Sequence, residues 1–414
     1  MTASAAGSPP ADPLSLAHAE ALDRADPLAA FRDRFVEPDP ELVYLDGNSL
    51  GRLPKATADR LTQVVHHGWG DRLIRSWDEG WLELPKQVGD LIGVELLGAR
   101  AGEVVVSDST TVNLYKLVRA ALDASPTRHV VVTDRDNFPT DRYVLEGLAA
   151  RGDIEIRWLQ GDPVAGPQPA DVEAALDDDV ALVTLSHVAY RTAAIADLPA
   201  ITALAHAAGA LSLWDLSHSG GSVPVGLAAS NADLAVGCTY KYMNGGPGAP
   251  AYLYVRHDLI DQLASPIAGW WAQRDMFAMR RPFDPQSDIR RFLAGTASVL
   301  GLAAVEEGAR VLAEAGITAL RAKGQALTAY AVDLLDGWLA PLGFGLGSPR
   351  DPALRGSHVT VVHPNSESLC AELIASGVVP DFRHPDGIRL GLAPLTTRFT
   401  DVYRGLAALR DLAT

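Results

Sequence analysis

Cysteine is almost missing from this 414-residue chain: it has two, Cys238 and Cys370, and no CxxC pair. Two thiols cannot form a disulfide framework or a cysteine-based zinc site, so stability has to come from an apolar core. Long apolar runs are also missing; none approaches the roughly 20 residues a membrane-spanning helix requires. Residues 1–30 have neither the basic start nor the apolar centre of a secretory signal, and a cytoplasmic location is the simplest expectation. Basic residues are the minority, 35 Lys and Arg against 51 Asp and Glu, a formal net charge of −16. A field of that sign repels phosphate backbones and anionic lipid, so neither nucleic acid nor membrane is an expected partner. An anionic small ligand would need a local arginine or lysine. No Walker loop or GxSxG elbow occurs, and Gly343-Phe-Gly-Leu-Gly347 lacks the spacing and following helix of a dinucleotide loop. His358 and His363, five apart on a strand, face opposite sides, and the adjacent His66 and His67 diverge on a helix; no metal site is expected.

What the chain does have is a large apolar fraction, 48% against 21% charged, enough for a substantial core. Its length predicts two domains. From Ser107 to Val255 short apolar runs alternate with amphipathic stretches. The runs are Val104–Val106, Val130–Thr133, Ile154–Leu159, Val180–Leu185, Leu211–Trp214, Leu234–Val236 and Ala251–Val255. Helical patterns at Val112–Asp123, Thr140–Ala150, Pro169–Asp177 and Pro199–Ala208 lie between them. This alternation predicts an α/β fold with a mostly parallel sheet buried on both faces. From Ala297 to Leu339 the pattern is helical. Strands at Ser357–His363, Val378–Phe382 and Gly387–Leu392, with helices Ser366–Ala375 and Thr400–Leu412, predict a smaller α+β C-terminal domain. The expected division is an N-terminal segment 1–45 packing on the small domain, a large domain 46–300 and a small domain 301–414. The Ala-, Ser- and Pro-rich first dozen residues are expected to fray.

Chemistry concentrates between Leu213 and Gly248. Asp215 closes an apolar strand, where open α/β sheets place ligand-binding groups. Lys241 follows 26 positions later, after the next strand, with Gly245, Gly246 and Gly248 behind it. Alone, an aspartate or a lysine is more often solvated than functional. In this order and setting the two supply an amine that can condense with an aldehyde and a carboxylate that can keep a ring nitrogen protonated. The arrangement resembles that of aminotransferase-like pyridoxal phosphate enzymes.

Six segments narrow the resemblance: Tyr44-Leu-Asp-Gly-Asn-Ser-Leu-Gly51, Asp108-Ser-Thr-Thr-Val-Asn-Leu114, Asn137-Phe-Pro-Thr-Asp141, Trp214-Asp-Leu-Ser-His218, Gly237-Cys-Thr-Tyr-Lys-Tyr-Met-Asn-Gly-Gly-Pro-Gly-Ala-Pro250 and Gly387-Ile-Arg-Leu390. Together, and in this order, they resemble the kynureninase family over nearly the whole chain. The long block around Lys241 is the most specific of them. The resemblance implies a pyridoxal 5'-phosphate-dependent, aminotransferase-like large domain with a smaller C-terminal domain. It implies hydrolysis of L-kynurenine, with 3-hydroxykynurenine as a second candidate substrate, within tryptophan catabolism and on the route to NAD biosynthesis. Lys241 would hold the cofactor as a Schiff base, Asp215 would pair with its ring nitrogen, and His218 would lie beside both. Phe138 would stack on the ring with Asp141 alongside. Thr110, Thr111, Tyr240, Trp270 and Thr296 would surround the phosphate, the last two from the partner subunit of a homodimer. Tyr240 would also serve as acid–base group. Arg389 would bind the substrate's α-carboxylate, and Asn48, Ser49 and Trp69 would line its pocket.

Each residue also has a plainer reading: Thr110 and Thr111 as helix caps, Phe138 and Trp270 as core, His218 as a core histidine, Asp141 as a first-turn acid, Arg389 as a surface ion pair and the DGNS segment as a turn. Three alternative functions stand beside kynureninase. One is a tailoring homologue for ring-substituted kynurenines, with Gly295 near the ring. Another is a cysteine desulfurase, which needs a cysteine on a mobile loop. The third is a non-catalytic regulator, which would carry a basic DNA-binding region.

Overall fold

The computed structural model describes residues 12–37 and 39–414, so the fraying expected of the first dozen residues, Asp12 excepted, lies outside the described residues. The chain enters through helix α1 (Leu16–Ala25), strand β1 (Val43–Tyr44) and helices α2 (Lys55–Gln63) and α3 (Leu84–Ile92). A seven-stranded sheet follows: β2 (Val104–Val106), β3 (Val130–Asp134), β4 (Glu155–Leu159), β5 (Val180–Ser186), β6 (Leu211–Asp215), β7 (Leu234–Gly237) and β8 (Tyr252–Val255). Its spatial order is β2-β8-β7-β6-β5-β3-β4, and only β8 runs antiparallel to its neighbours.

The valine-rich runs show why an unbroken apolar strand belongs here. Val104, Val106, Val130 and Val132 face one hydrophobic cluster, while Val105 and Val131 face another on the opposite side. With helices over both faces, neither side of the pleat needs a polar residue. Each such side chain contributes roughly 1.5–3 kcal/mol on burial. The covering helices include α4 (Thr110–Ala124), α5 (Pro139–Ala149), α6 (Pro169–Ala174) and α7 (Leu198–Ala207). Proline in the first turn of α5, α6 and α7 suits helix starts, where its missing N–H costs nothing.

The helical region expected at 297–339 is two helices, α8 (Val299–Ala315) and α9 (Ile317–Leu334), separated by Gly316 at φ +80°. The C-terminal sheet has the order β12-β13-β10-β9, from β9 (Gly345–Leu346), β10 (His358–Val362), β12 (Asp381–Arg383) and β13 (Gly387–Gly391). It is flanked by α10 (Ser366–Ala375) and α11 (Phe399–Ala413). The strand expected at Val378–Phe382 is split at Pro380, which has no N–H for a ladder. Its first half, β11 (Val378–Val379), pairs in parallel with β1. The N-terminal stretch is tied to the C-terminal one again where Asp23 accepts from Phe399 N at 2.7 Å and from Thr400 N at 3.2 Å, capping α11. No helix among the described residues is long and apolar enough to cross a membrane.

Candidate active site

Three parallel strands end together at the site. Asp215 is the last residue of β6 and the register partner of Ser186 at the end of β5; β7 ends at Gly237, just before Lys241. Beyond β7 the backbone turns sharply, with Gly246 and Gly248 at φ +88° and +71°. Those left-handed conformations account for two of the glycines behind the lysine, and Gly245 packs too closely on Thr239 and Val305 for a side chain.

The Lys241 side chain is buried. Its Nζ lies 2.9 Å from His218 Nε2, 5.5 Å from the centre of the Phe138 ring and 6.0 Å from that of Tyr240. Burial, reinforced by the charges of Lys241 and Arg389, holds His218 well below the ordinary imidazole range, so it stays neutral and can accept a hydrogen bond from the amine. Its Nδ1 has no partner among the described residues. Asp215 Oδ1 accepts from Ser217 N at 2.9 Å and Ser217 Oγ at 2.6 Å. Asp141, fully enclosed in the first turn of α5, has no donor on either carboxylate oxygen. Burial pushes both carboxyls upward, and the charge of Asp215 pushes Asp141 further. Two buried acids beside an amine, with two oxygens and an imidazole nitrogen unpartnered, form a receptor for a ligand carrying an N–H cation. A pyridinium ring fits that requirement, and the aromatic face of Phe138 fits a flat ring. Tyr190 meets Phe138 edge-on, centroids 5.4 Å apart.

Thr110 and Thr111 open α4, but the cap is Ser109, whose side chain accepts from Val112 N at 3.3 Å. The capping role considered for the threonines is therefore filled by their neighbour, and their hydroxyls sit beside free N–H groups suited to an anion. Tyr240 is half-buried, and burial raises its phenol above the ordinary value, keeping the hydroxyl protonated.

Arg389 is not a surface ion pair. It is buried in β13, donating from Nε to Asp381 Oδ1 at 2.9 Å, from Nη1 to the Tyr190 carbonyl at 2.7 Å and from Nη2 to Ser49 Oγ at 3.0 Å. With its amide turned to satisfy both ends, Asn48 accepts from Arg389 Nε at 2.8 Å and donates to Asp46. Asn48 and Ser49 are thus gathered at Arg389. The same segment reaches the lysine turn, where Gly51 N donates to Tyr240 O at 2.8 Å.

Trp69, Trp270 and Thr296 stand apart. Trp270 and Thr296 line a cleft of about 100 Å³ with Ile74, Trp77 and Phe277. The Trp270 indole donates to Met276 O at 3.0 Å, and Trp69 is exposed. Within one chain none of the three has a hydrogen bond or ring contact with the Lys241 group. Asp381, Tyr190, Ser186 and His358 belong to the site and escaped the sequence reading. Ser186 Oγ donates to Asn137 Oδ1 at 2.7 Å beside Phe138, and the His358 ring lies 5.4 Å from that of His218. A legible clue existed for Asp381: positions 381 and 389 are symmetric about Pro385, so a hairpin turning there sets them opposite each other.

Solved structures share this architecture. A cysteine desulfurase from Thermococcus onnurineus NA1 matches with a TM-score of 0.78 over 95% of this chain and 98% of its own, at 19% identity. A variant of C-DES with glycine covalently linked to its pyridoxal phosphate cofactor matches with a TM-score of 0.77 over 91% of this chain and all of its own, at 16% identity. The fold is that of pyridoxal-phosphate-dependent, aminotransferase-like proteins. A family model for the kynureninase C-terminal domain matches residues 320–409. A kynureninase from Burkholderia pseudomallei is 44% identical over 399 residues, 95% of this chain and 94% of its own. The chain belongs to the kynureninase family.

Proposed function

We propose that the protein binds pyridoxal 5'-phosphate at Lys241 and hydrolyses the Cβ–Cγ bond of L-kynurenine to anthranilate and L-alanine. The observation that carries this reading is the buried Lys241 amine set among Asp215, the donorless carboxylate of Asp141 and the Phe138 ring. When bound, the cofactor supplies an electron sink for the pair released at the substrate's α-carbon. Lys241 would hold the cofactor, and its amine, when free, would take the substrate's α-proton, with neutral His218 orienting that amine through a hydrogen bond at 2.9 Å. Asp215 and Asp141 would keep a proton on its ring nitrogen. With water added at the γ-carbonyl and the aroyl group leaving as anthranilate, Tyr240, kept protonated by burial, would donate to the β-carbon. Arg389 anchors the α-carboxylate through charge-assisted hydrogen bonds.

Trp270 and Thr296 complete the phosphate site from a partner subunit, and Trp69 the substrate pocket. A dimer is supported by the exposure of Ile74 (74%), Phe277 (59%) and Trp270 (45%) around one cleft. The division at residues 46–300 and 301–414 rests on the two sheets each side of α8. A cytoplasmic location is supported by two cysteines left unpaired.

Purified protein supplied with cofactor and L-kynurenine should release fluorescent anthranilate, and K241A should lose both the activity and the borohydride-sensitive visible band. Retention of that band in K241A would refute the assignment of Lys241. Comparing kinetics on 3-hydroxykynurenine sets the ring preference. Gly295, whose Cβ position is open, accommodates either ring. Desulfurase chemistry is disfavoured because Cys238 and Cys370 are both buried and burial raises both thiols, away from the thiolate such a reaction needs.

A further inference from the structure

Arg389 and Asp381 are register partners across the β12–β13 hairpin, so their side chains leave the sheet on the same face. Asp381 grips the guanidinium side-on, Oδ1 accepting from Nε at 2.9 Å and Oδ2 from Nη2. The same carboxylate accepts from Ser49 Oγ at 2.9 Å and pairs with Arg383 Nη2 at 2.6 Å. Of the five N–H groups of Arg389, the Nε hydrogen is shared between Asp381 and Asn48, and one hydrogen of Nη2 belongs to Asp381. Tyr190 O takes one hydrogen of Nη1 and Ser49 the second of Nη2. The remaining Nη1 hydrogen marks the end-on edge as the one open to an incoming anion, with Ser49 Oγ the displaceable partner beside it. Charge agrees with that count. While Asp46 is neutral, Arg389 and Arg383 against Asp381 leave one positive charge, matched to a single carboxylate.

We propose that Asp381 is a positioning residue for substrate: it fixes Arg389 side-on so that only its end-on edge meets the α-carboxylate. This deepens the reading of Arg389 as the carboxylate anchor and rests on it. Asp381 remains paired with Arg389 after substrate binds, and Ser49 is the group that yields.

The test uses full-length holoenzyme with D381N, D381A and D381E. Loss of a charge-assisted pair predicts a rise in KM for L-kynurenine on the order of 10- to 100-fold in D381N and D381A. The same variants should keep kcat within about threefold and an unchanged cofactor absorbance, and D381E should recover part of the KM. Calorimetric Kd for L-alanine, which needs no turnover, should weaken in parallel. If wild type binds L-alanine but does not cleave kynurenine, the functional reading fails while this one is still decided by the alanine titration. Unchanged Kd and KM in D381N would overturn the proposal. So would a joint loss of kcat, cofactor and thermal midpoint in both D381N and D381E, since that marks a purely structural residue.

Discussion

Asp46 is bridged to Arg389 by Asn48, and its carboxyl is pushed up to about 6 by burial and by the charge of Asp381, with Ser49, Arg389 and Arg383 opposing. Tyr44, itself raised to about 12, stays neutral beside it. Below about pH 6 Asp46 is neutral and the Arg389–Arg383–Asp381 group keeps one net positive charge. As pH rises through that value Asp46 ionises and the surplus disappears. KM for kynurenine should therefore climb several-fold between pH 5 and 7.5 and then level off. D46N should hold the low-pH KM across the range; a wild-type-like climb in D46N would exclude Asp46 as its source. At this scale the sequence showed a good deal. Lys241, Asp215, His218, Phe138, Asp141, Asn48, Ser49 and Arg389 lie in quotable motifs, and the structure gathers them in two touching groups. Tyr190 was invisible because it contributes a backbone carbonyl and a ring edge, neither of which leaves a trace in residue type. His358 was weighed only against His363, since nothing in a strand's own pattern says which distant ring it will face.

Helix packing explains a different set of residues. Gly308 on α8 lies against the lysine turn so closely that a Cβ there would come within 2.1 Å of the Met243 carbonyl oxygen. G308A should force helix and turn apart, costing about 1–3 kcal/mol as overpacked sites do. Its measure is a lower thermal midpoint together with faster loss of cofactor on dialysis; an unchanged midpoint would mean that the helix shifts freely. Strand and helix cores were readable from apolar runs, because two-sided burial leaves an unmistakable pattern. Breaks within elements were less so: Gly316 and Pro380 each stood inside a run whose hydrophobicity continued on both sides. Helices α1 to α3 passed unassigned for a similar reason. The buried positions of α1 and α2 depend on packing against α11 and α8, far along the chain, and those of α3 on both β2 and α8.

For the molecule as a whole, the exposed rings and aliphatic side chains around the Trp270 cleft predict self-association. Sedimentation should give twice the chain mass at micromolar concentration. I74D should shift the chain toward monomer and weaken cofactor retention together, because Trp270 and Thr296 then lack a neighbour to serve; a monomeric wild type with full activity would exclude a shared site. The sequence named Trp69, Trp270 and Thr296 by resemblance alone, and within one chain they lie apart from the Lys241 group, because no pattern in the residues says which surface a second copy would cover.

The segment from Asp46 to Gly51 touches Asn48 and Ser49 to the guanidinium at one end and Gly51 to the backbone before Lys241 at the other. Six residues near the start of the chain thus span the gap between the buried Arg389 group and the buried Lys241 group. Trimming the chain from its beginning can be harmless only as far as this strap. Past it, both sheets could still assemble, yet what they hold between them would be two half-sites without a common frame.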